Sequence, residues 1–209
     1  HYLIMYQSKL ITIFEKLTKP EKIGFRKWVQ SPFANPRKDV QQLVEFILSK
    51  RAITTTTMNR KDAFAFIFSG KTYNESLIRH TMSYATQCLE EFLAYHNWKQ
   101  EEINPSIVLT QVYNHRNLNK LAAQQLENTH AILQESPLKD SRYYIQTLET
   151  EIEQYNLLSK NKRYEKFNLQ KISDTIHHYA ISEILRYACV AQSFKQVSGT
   201  TTDFLLLEN

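Results

Sequence analysis

Glycine is almost missing from this chain, since Gly24, Gly70 and Gly199 are its only three glycines in 209 residues. Glycine supplies the tight turns, phosphate-binding loops and close backbone approaches on which most enzyme sites depend. A chain this poor in glycine is expected to consist almost wholly of helices joined by short connectors. The motifs GxSxG, HExxH, CxxC and the P-loop are absent as well, so we expect a protein that is not an enzyme and holds no cofactor.

Apolar residues recur three and four positions apart along most of the chain, which predicts an all-α fold. Helix N-caps are expected at Thr18, where Glu21 completes a capping box, and at Asn59, Asn74, Asn104 and Asp140. Four consecutive threonines at 54–57 favour an extended connector. The apolar stripe of the helix at 140–160 consists of Tyr144, Leu148, Ile152, Tyr155 and Leu158. The predicted helices span about 2–16, 18–30, 38–51, 59–68, 74–97, 104–115, 117–135, 140–160 and 167–194.

Charge divides the chain into two regions. Residues 1–100 carry 15 Lys and Arg against 8 Asp and Glu, whereas residues 101–209 carry 11 against 13. We expect a basic N-terminal helical module over 1–100, and over 101–209 antiparallel helical hairpins stacked as a repeat-like array that continues beyond residue 209. Two hairpins, about 104–135 and 140–194, resemble tetratricopeptide-type repeats in size, although the consensus Trp, Gly and Pro residues of that family are absent.

Two features bear on location. No apolar run approaches the roughly 18 residues that a membrane span needs, so we expect no membrane partner. Cys88 and Cys189 lie in apolar helical surroundings, which predicts two small buried thiols in a reducing cytoplasm. The sequence leaves the oligomeric state open.

Four short segments carry a resemblance to known proteins: Ser31–Asn35, Phe68–Asn74, Glu91–Tyr95 and Arg142–Tyr144. In this order they resemble an uncharacterised all-helical bacterial family, of the type found in Bacteroidetes, over roughly residues 10–195. Ala34 stands where that family's motif is expected to have an aromatic residue. The resemblance implies an all-helical fold and carries no activity with it.

Residues 59–97 also resemble the helix–turn–helix half of a winged-helix module, as in some bacterial transcription activators. This resemblance implies a recognition helix over 74–84. Near its exposed N-terminal face would lie Asn74, Glu75, Arg79, His80 and Ser83.

The basic residues of the N-terminal half are the sharpest candidate for a binding site. Lys19, Lys22 and Arg26 share one helical face beside an aromatic stripe, and six or more phosphate contacts would give salt-dependent binding to nucleic acid. The same charges also fit an ordinary solvated surface, so both interpretations stay open. The candidate residues are Lys19, Lys22, Arg26, Lys27, Arg37, Lys38 and Arg79, and the surface could extend to Lys50, Arg51, Arg60, Lys61 and Lys71.

Tyrosine recurs through the second half of the chain. Tyr144, Tyr155 and Tyr179 could line a groove that binds a peptide, because tyrosine is a rigid amphipathic anchor. The alternative is that these rings belong to the core and place their hydroxyl groups at the surface.

One pattern suggests a metal. Glu127 with His130, and Asp174 with His177, each place a carboxylate and an imidazole one helical turn apart, as di-iron bundles do. Further carboxylates could come from Glu149 and Glu153, but exposed polar residues are the simpler interpretation.

Three hypotheses follow. The leading one is a non-catalytic scaffold for protein–protein interaction, because stacked hairpins occur without a catalytic constellation. The second is a DNA- or RNA-associated regulator that uses the basic N-terminal half. The third is a metal-dependent enzyme.

Overall fold

The computed structural model describes residues 5–160 and 167–199, except for the side chains of residues 196–198. This part of the chain is all-helical and contains no β-strand, which confirms the predicted fold class. Its helices are α1 (Lys9–Lys16), α2 (Lys19–Gln30), α3 (Lys38–Ser49), α4 (Arg60–Ile67), α5 (Glu75–Gln100), α6 (Ile103–His115), α7 (Asn119–Gln134), α8 (Ser141–Lys160) and α9 (Leu169–Ser198).

The chain divides into two compact units, His1–Asn97 and Trp98–Asn209, which we call the N-terminal unit and the C-terminal unit. Each helix of the described residues is too short or too polar to cross a membrane. The resemblance of residues 59–97 to the helix–turn–helix half of a winged-helix module stays a prediction.

Apolar faces of α1 to α5 enclose one hydrophobic core in the N-terminal unit. Phe14, Phe25, Leu43, Ile47 and Leu89 are among its fully or almost fully buried side chains. Aromatic rings pack edge to face within it, as Phe14 does on Phe25 with ring centroids 6.3 Å apart. Burial of these large apolar surfaces is the main force that holds the five helices together.

Most helix starts follow the predicted caps. The capping box at Thr18 is complete, because the Glu21 amide donates to the Thr18 hydroxyl at 3.3 Å while the Thr18 amide donates to the Glu21 carboxylate at 2.7 Å. The hydrogen bond from the Thr18 backbone lowers the pKa of Glu21. Side chains of Asn59, Asn74 and Asp140 likewise accept backbone hydrogen bonds at the starts of α4, α5 and α8.

The predicted cap at Asn104 is wrong. Helix α6 begins at Ile103, and Glu102 occupies the cap position without a side-chain hydrogen bond. The Asn104 amide instead donates to the Trp98 carbonyl at 3.2 Å and to the Glu101 carboxylate at 3.3 Å. The chain turns directly after α5, so the next helix starts before the asparagine.

Threonines 54–57 form a turn rather than the expected extended connector. The Thr54 amide donates to the Thr57 hydroxyl at 2.9 Å, and the Met58 amide donates to the Thr54 carbonyl at 3.0 Å. Threonine hydroxyls that bond to nearby backbone groups stabilise such turns, and this outweighs their preference for extended structure.

In the C-terminal unit, α6 pairs with α7 and α8 pairs with α9. Helix α8 also packs against both helices of the preceding hairpin. Small apolar clusters around Ile107 and Leu126 support this packing. Polar side chains fill much of the remaining interior, since Ser106, Thr129 and Thr150 are buried. Helix α9 ends at Ser198 and is followed by Gly199, whose positive φ of 68° is the left-handed conformation that commonly terminates a helix.

Candidate functional site

Two of the predicted basic residues are used inside the fold. The Arg26 guanidinium forms an ion pair with Glu45 at 2.7 Å. Arg37 pairs with Asp39 at 2.7 Å and also stacks over the Tyr84 ring at 4.1 Å. Hydrogen bonds to these carboxylates raise the pKa of both arginines. Each of these charges is therefore paired with a carboxylate of the same unit, while both arginine side chains keep contact with solvent.

The other five candidates have no carboxylate within ion-pair distance in the described part of the chain. Lys19, Lys27, Lys38 and Arg79 are exposed, and Lys22 is half-buried. Lys27 and Lys38 lie at the same end of the α2–α3 pair, because one is in the last turn of α2 and the other begins α3. Lys19 lies at the opposite end of α2.

Arg79 points away from the α2–α3 cations. The Thr81 hydroxyl donates to Asp39 at 2.9 Å, which directs this face of α5 towards the start of α3. Residues two positions apart point about 160° away from each other around a helix axis. Arg79 therefore lies on nearly the opposite side of α5 from Thr81. The candidate basic residues therefore do not form one continuous face.

The predicted recognition helix contributes to a cleft of about 600 Å³ that is lined by Glu75, Ser76, Arg79, His80 and Ser83. Asn74 caps α5, since its side chain accepts from the Leu77 amide at 3.0 Å. Glu75 pairs with Arg60 at 2.5 Å and accepts from the Tyr73 hydroxyl. Burial and this hydrogen bond raise the pKa of Tyr73 to about 12. Arg79, His80 and Ser83 remain exposed.

Lys22 lies in a different cleft, where α1, α2 and the end of α3 meet. This cleft has a volume of about 360 Å³, and Lys50 and Arg51 line it together with Lys22. The fold thus brings Lys22 into one cleft with Lys50 and Arg51, which follow it by at least 28 residues in the sequence.

The segment Ser31–Asn35, which carries part of the family resemblance, forms a tightly bonded loop. The buried Asn35 amide donates to the Val29 carbonyl at 2.9 Å, and its carbonyl oxygen accepts from the Arg37 amide at 3.1 Å. Phe33 at the loop tip is 99% exposed. A rigid loop therefore presents a whole aromatic ring to solvent.

A cleft in the C-terminal unit lies between the start of α8 and the middle of α9. Its volume is about 700 Å³, within the range of ligand-binding clefts. Ile145, Tyr179 and Leu185 provide apolar surface, and Arg142 and Arg186 provide charge. Both arginines are paired, with Glu101 at 2.6 Å and Glu183 at 2.7 Å. The hydrogen bond from Arg186 lowers the pKa of Glu183.

Of the three tyrosines predicted to line a groove, Tyr179 lines this cleft and the other two pack within the α8–α9 hairpin. Tyr144 stacks on His178 with ring centroids 5.3 Å apart, and Tyr155 packs on Phe167 at 5.4 Å. Eleven residues separate Tyr144 from Tyr155 along α8, which is about 16 Å. The three rings therefore do not converge on one binding pocket.

A polar cluster surrounds Glu151 of α8, whose side chain is completely buried. Its partners come from α7 and from the start of α9. Lys171 Nζ lies 2.5 Å from Oε1, and the Asn168 amide donates to Oε2 at 2.7 Å. His130 Nδ1 is 3.8 Å from Oε1, while Nε2 of the same ring contacts the Gln154 side chain at 3.1 Å. No sequence pattern predicted this cluster, because nothing distinguishes Glu151 from the other two acidic residues of α8, Glu149 and Glu153.

The residues of the predicted metal site are not assembled. Glu127, Asp174 and His177 are exposed, as is Glu149. Glu153 is buried but accepts hydrogen bonds from Asn114 and Asn156. Among the described residues, no group of three or more His, Cys, Asp or Glu side chains is arranged to hold a metal ion.

Sequence reasoning missed the exposed apolar surface of α9. Five of its apolar side chains recur at spacings of three, four, seven and eleven residues and so share one face: Leu169, Ile176, Tyr187, Val190 and Phe194. Ile181 and Leu185 are exposed on another side. The sequence signal for this exposed surface is that apolar residues occur on more than one face of α9, more than a single core contact needs. The buried environment expected for Cys189 is wrong, because this thiol is also exposed on α9.

No protein-family model, curated protein or solved structure shows significant similarity to this chain. The resemblance to the bacterial all-helical family therefore stays a prediction.

Proposed function

We propose that this chain is a non-catalytic helical scaffold that binds another protein through its C-terminal unit. The observation that carries the proposal is one face of α9, where five large apolar side chains are 46 to 63% exposed: Leu169, Ile176, Tyr187, Val190 and Phe194. Contiguous exposed apolar surface on a folded protein is typical of an interaction site. Covering it would release ordered water and favour association.

The α8–α9 cleft supports the same proposal. Leu185, which is exposed on a second side of α9, also lines the cleft. A partner segment with apolar and charged side chains would therefore meet complementary groups: Tyr179 and Ile145 for apolar contact, and the Arg186–Glu183 pair for polar contact. Protein interfaces combine an apolar centre with a polar rim in this way.

The packing of α8 against both α6 and α7 favours a repeat-like arrangement of the two hairpins. Arrays of this kind present extended surfaces that recognise proteins. We further propose a cytoplasmic location, on the ground that Cys88 and Cys189 are both free thiols.

Affinity capture with the full chain, followed by cross-linking and mass spectrometry, tests the proposal. We expect one partner in stoichiometric amount, with cross-links from Lys171 and Lys195 on α9. Tyr187→Glu should abolish capture because it places a charge in this apolar face of α9. Gln192→Glu on the same helix is the matched control and should leave capture intact. Equal capture by both variants, or turnover of a small molecule by the purified chain, would contradict the proposal.

A second candidate function is binding of DNA or RNA by the N-terminal unit. It is favoured by the exposed cations Lys19, Lys27, Lys38 and Arg79, which lack carboxylate partners among the described residues. The separation of these cations around the unit makes it the weaker candidate, because phosphate contacts along one strand need a continuous basic face.

Fluorescence anisotropy with labelled duplex and single-stranded oligonucleotides tests this candidate. If it is correct, binding weakens steeply as salt increases and is lost when Lys19, Lys27 and Lys38 are changed to Gln. Changing Lys120, Lys139 and Arg116 of the C-terminal unit to Gln removes the same total charge and serves as the control. Absence of binding at low salt would reject the candidate.

A further inference from the structure

A small cleft in the N-terminal unit concentrates positive charge. It lies where α1, α2 and the end of α3 meet, and it encloses about 360 Å³. Six of its lining residues determine its chemistry: Phe14, Glu15, Lys22, Leu48, Lys50 and Arg51.

The three cations of this cleft are not neutralised by carboxylates. Elsewhere in the unit, Lys9, Arg26, Arg37 and Arg60 each pair with an acidic side chain at 2.5 to 2.7 Å. Lys22, Lys50 and Arg51 have no carboxylate within 4 Å in the described part of the chain, although Glu15 lines the same cleft. Three like charges in one cleft repel one another, and a bound anion would relieve that repulsion.

Aromatic rings contact two of the three charges, and one of these rings, Phe14, lines the cleft. Lys22 Nζ lies 5.4 Å from the centre of the Phe14 ring, and Lys50 Nζ lies 4.3 Å from the centre of the Phe46 ring. Cation–π contacts restrict the lysine side chains while leaving their N–H donors available. Arg51 adds a planar guanidinium, which suits the paired oxygen atoms of a phosphate group.

We propose that this cleft binds a phosphate group. The proposal does not depend on the protein-binding function, because it concerns the other unit. A chloride ion could not use this set of donors equally well, since it lacks the several oxygen acceptors of a phosphate.

Isothermal titration calorimetry of the full chain with inorganic pyrophosphate tests the proposal, with sodium chloride at equal ionic strength as the reference. We expect saturable binding of one pyrophosphate. Lys22→Gln and Arg51→Gln should each weaken it at least about tenfold, the value of one charge-assisted hydrogen bond. Lys120→Gln and Lys139→Gln remove the same charge from exposed positions of the C-terminal unit and should change the affinity less than about twofold.

Glu15→Gln provides a test in which impaired folding would not produce the expected result, because misfolding weakens binding. Removing the acidic side chain from the cleft should tighten pyrophosphate binding several-fold. Absence of saturable binding to the unaltered chain, equal weakening in the cleft and control variants, or no effect of Glu15→Gln would overturn the proposal.

A 5′-phosphorylated thymidine oligonucleotide shows whether the bound phosphate group belongs to a nucleic acid or to a small phosphorylated molecule. Competition with pyrophosphate, together with weaker binding to the Lys22→Gln variant, would support the cleft and identify a polymer as the source. Pyrophosphate binding without such competition would support the cleft and identify a small phosphorylated molecule.

Discussion

Asn168 holds Glu151 with two hydrogen bonds from a single amide: Nδ2 donates to the Glu151 backbone carbonyl at 2.9 Å and to its carboxylate at 2.7 Å. Asn114 of α6 makes the same two contacts with Glu153, at 3.0 and 2.7 Å. Glu151 and Glu153 are two residues apart, so they lie about 160° apart around α8. The helix is thus fixed from two sides by asparagine side chains.

Glu151→Ala should destabilise the chain by about 3 kcal/mol, because it leaves buried hydrogen-bond donors without their acceptor. Glu149→Ala is the matched control, since Glu149 is exposed two residues earlier, and it should change the free energy of unfolding by less than about 0.5 kcal/mol. Urea unfolding followed by circular dichroism measures both. Similar small effects for the two variants would show that the buried carboxylate contributes little.

Gly24→Ala should destabilise the chain by about 1 kcal/mol, although alanine is normally the better helix former. An added Cβ would lie 3.0 Å from Cζ of Phe92. The Phe92 ring has little room to move, because it packs on Phe25 and Trp28 at 5.7 and 6.1 Å.

The double variant Gly24→Ala/Phe92→Leu checks this explanation. Once Phe92 has become leucine, the change at position 24 should cost less or should stabilise the helix. The two unfolding free energies, with those of the single variants, form a double-mutant cycle. If the cost at position 24 is unchanged in this background, close approach of the ring is not its cause.

Asp39 should contribute to acid sensitivity. Burial opposes its ionisation, but hydrogen bonds from Arg37 and Thr81 outweigh burial and hold the pKa below its ordinary value of 3.8. A lowered folded-state pKa stabilises the fold fully above the unfolded-state pKa, and this stabilisation is lost as pH falls through the folded-state value. The difference in unfolding free energy between the unaltered chain and Asp39→Asn should therefore shrink from about pH 6 to about pH 2. A difference independent of pH would contradict this assignment.

The two thiols should react at very different rates. Burial raises the pKa of the Cys88 thiol, with a smaller contribution from Glu91, whereas Cys189 is exposed on α9. The thiolate is the reactive form, so iodoacetamide should modify Cys189 first and Cys88 only after unfolding. Mass spectrometry of the alkylated chain over time measures both rates. Cys189→Ser should remove the fast phase, and a fast phase that survives this change would contradict the prediction.

Local sequence patterns predicted the helices well because capping and apolar spacing act over a few residues. The capping box at Thr18 and the cap at Asn74 are confirmed. The extended connector predicted at 54–57 is wrong, because hydrogen bonds from the threonine hydroxyl groups stabilise a turn there. Ile152 was expected to be buried and is 41% exposed, since α8 turns Thr150 and Glu153 inwards instead.

The sequence by itself determined that the chain is helical, and scarce glycine together with apolar residues three and four apart was sufficient for that. The tertiary structure decided which charges remain available. Arg26 and Arg37 form ion pairs with carboxylates, whereas Lys22 lines the same cleft as Lys50 and Arg51. The physical reason is range: helix formation depends on neighbours within one or two turns, while the environment of a charge depends on residues that only folding brings together.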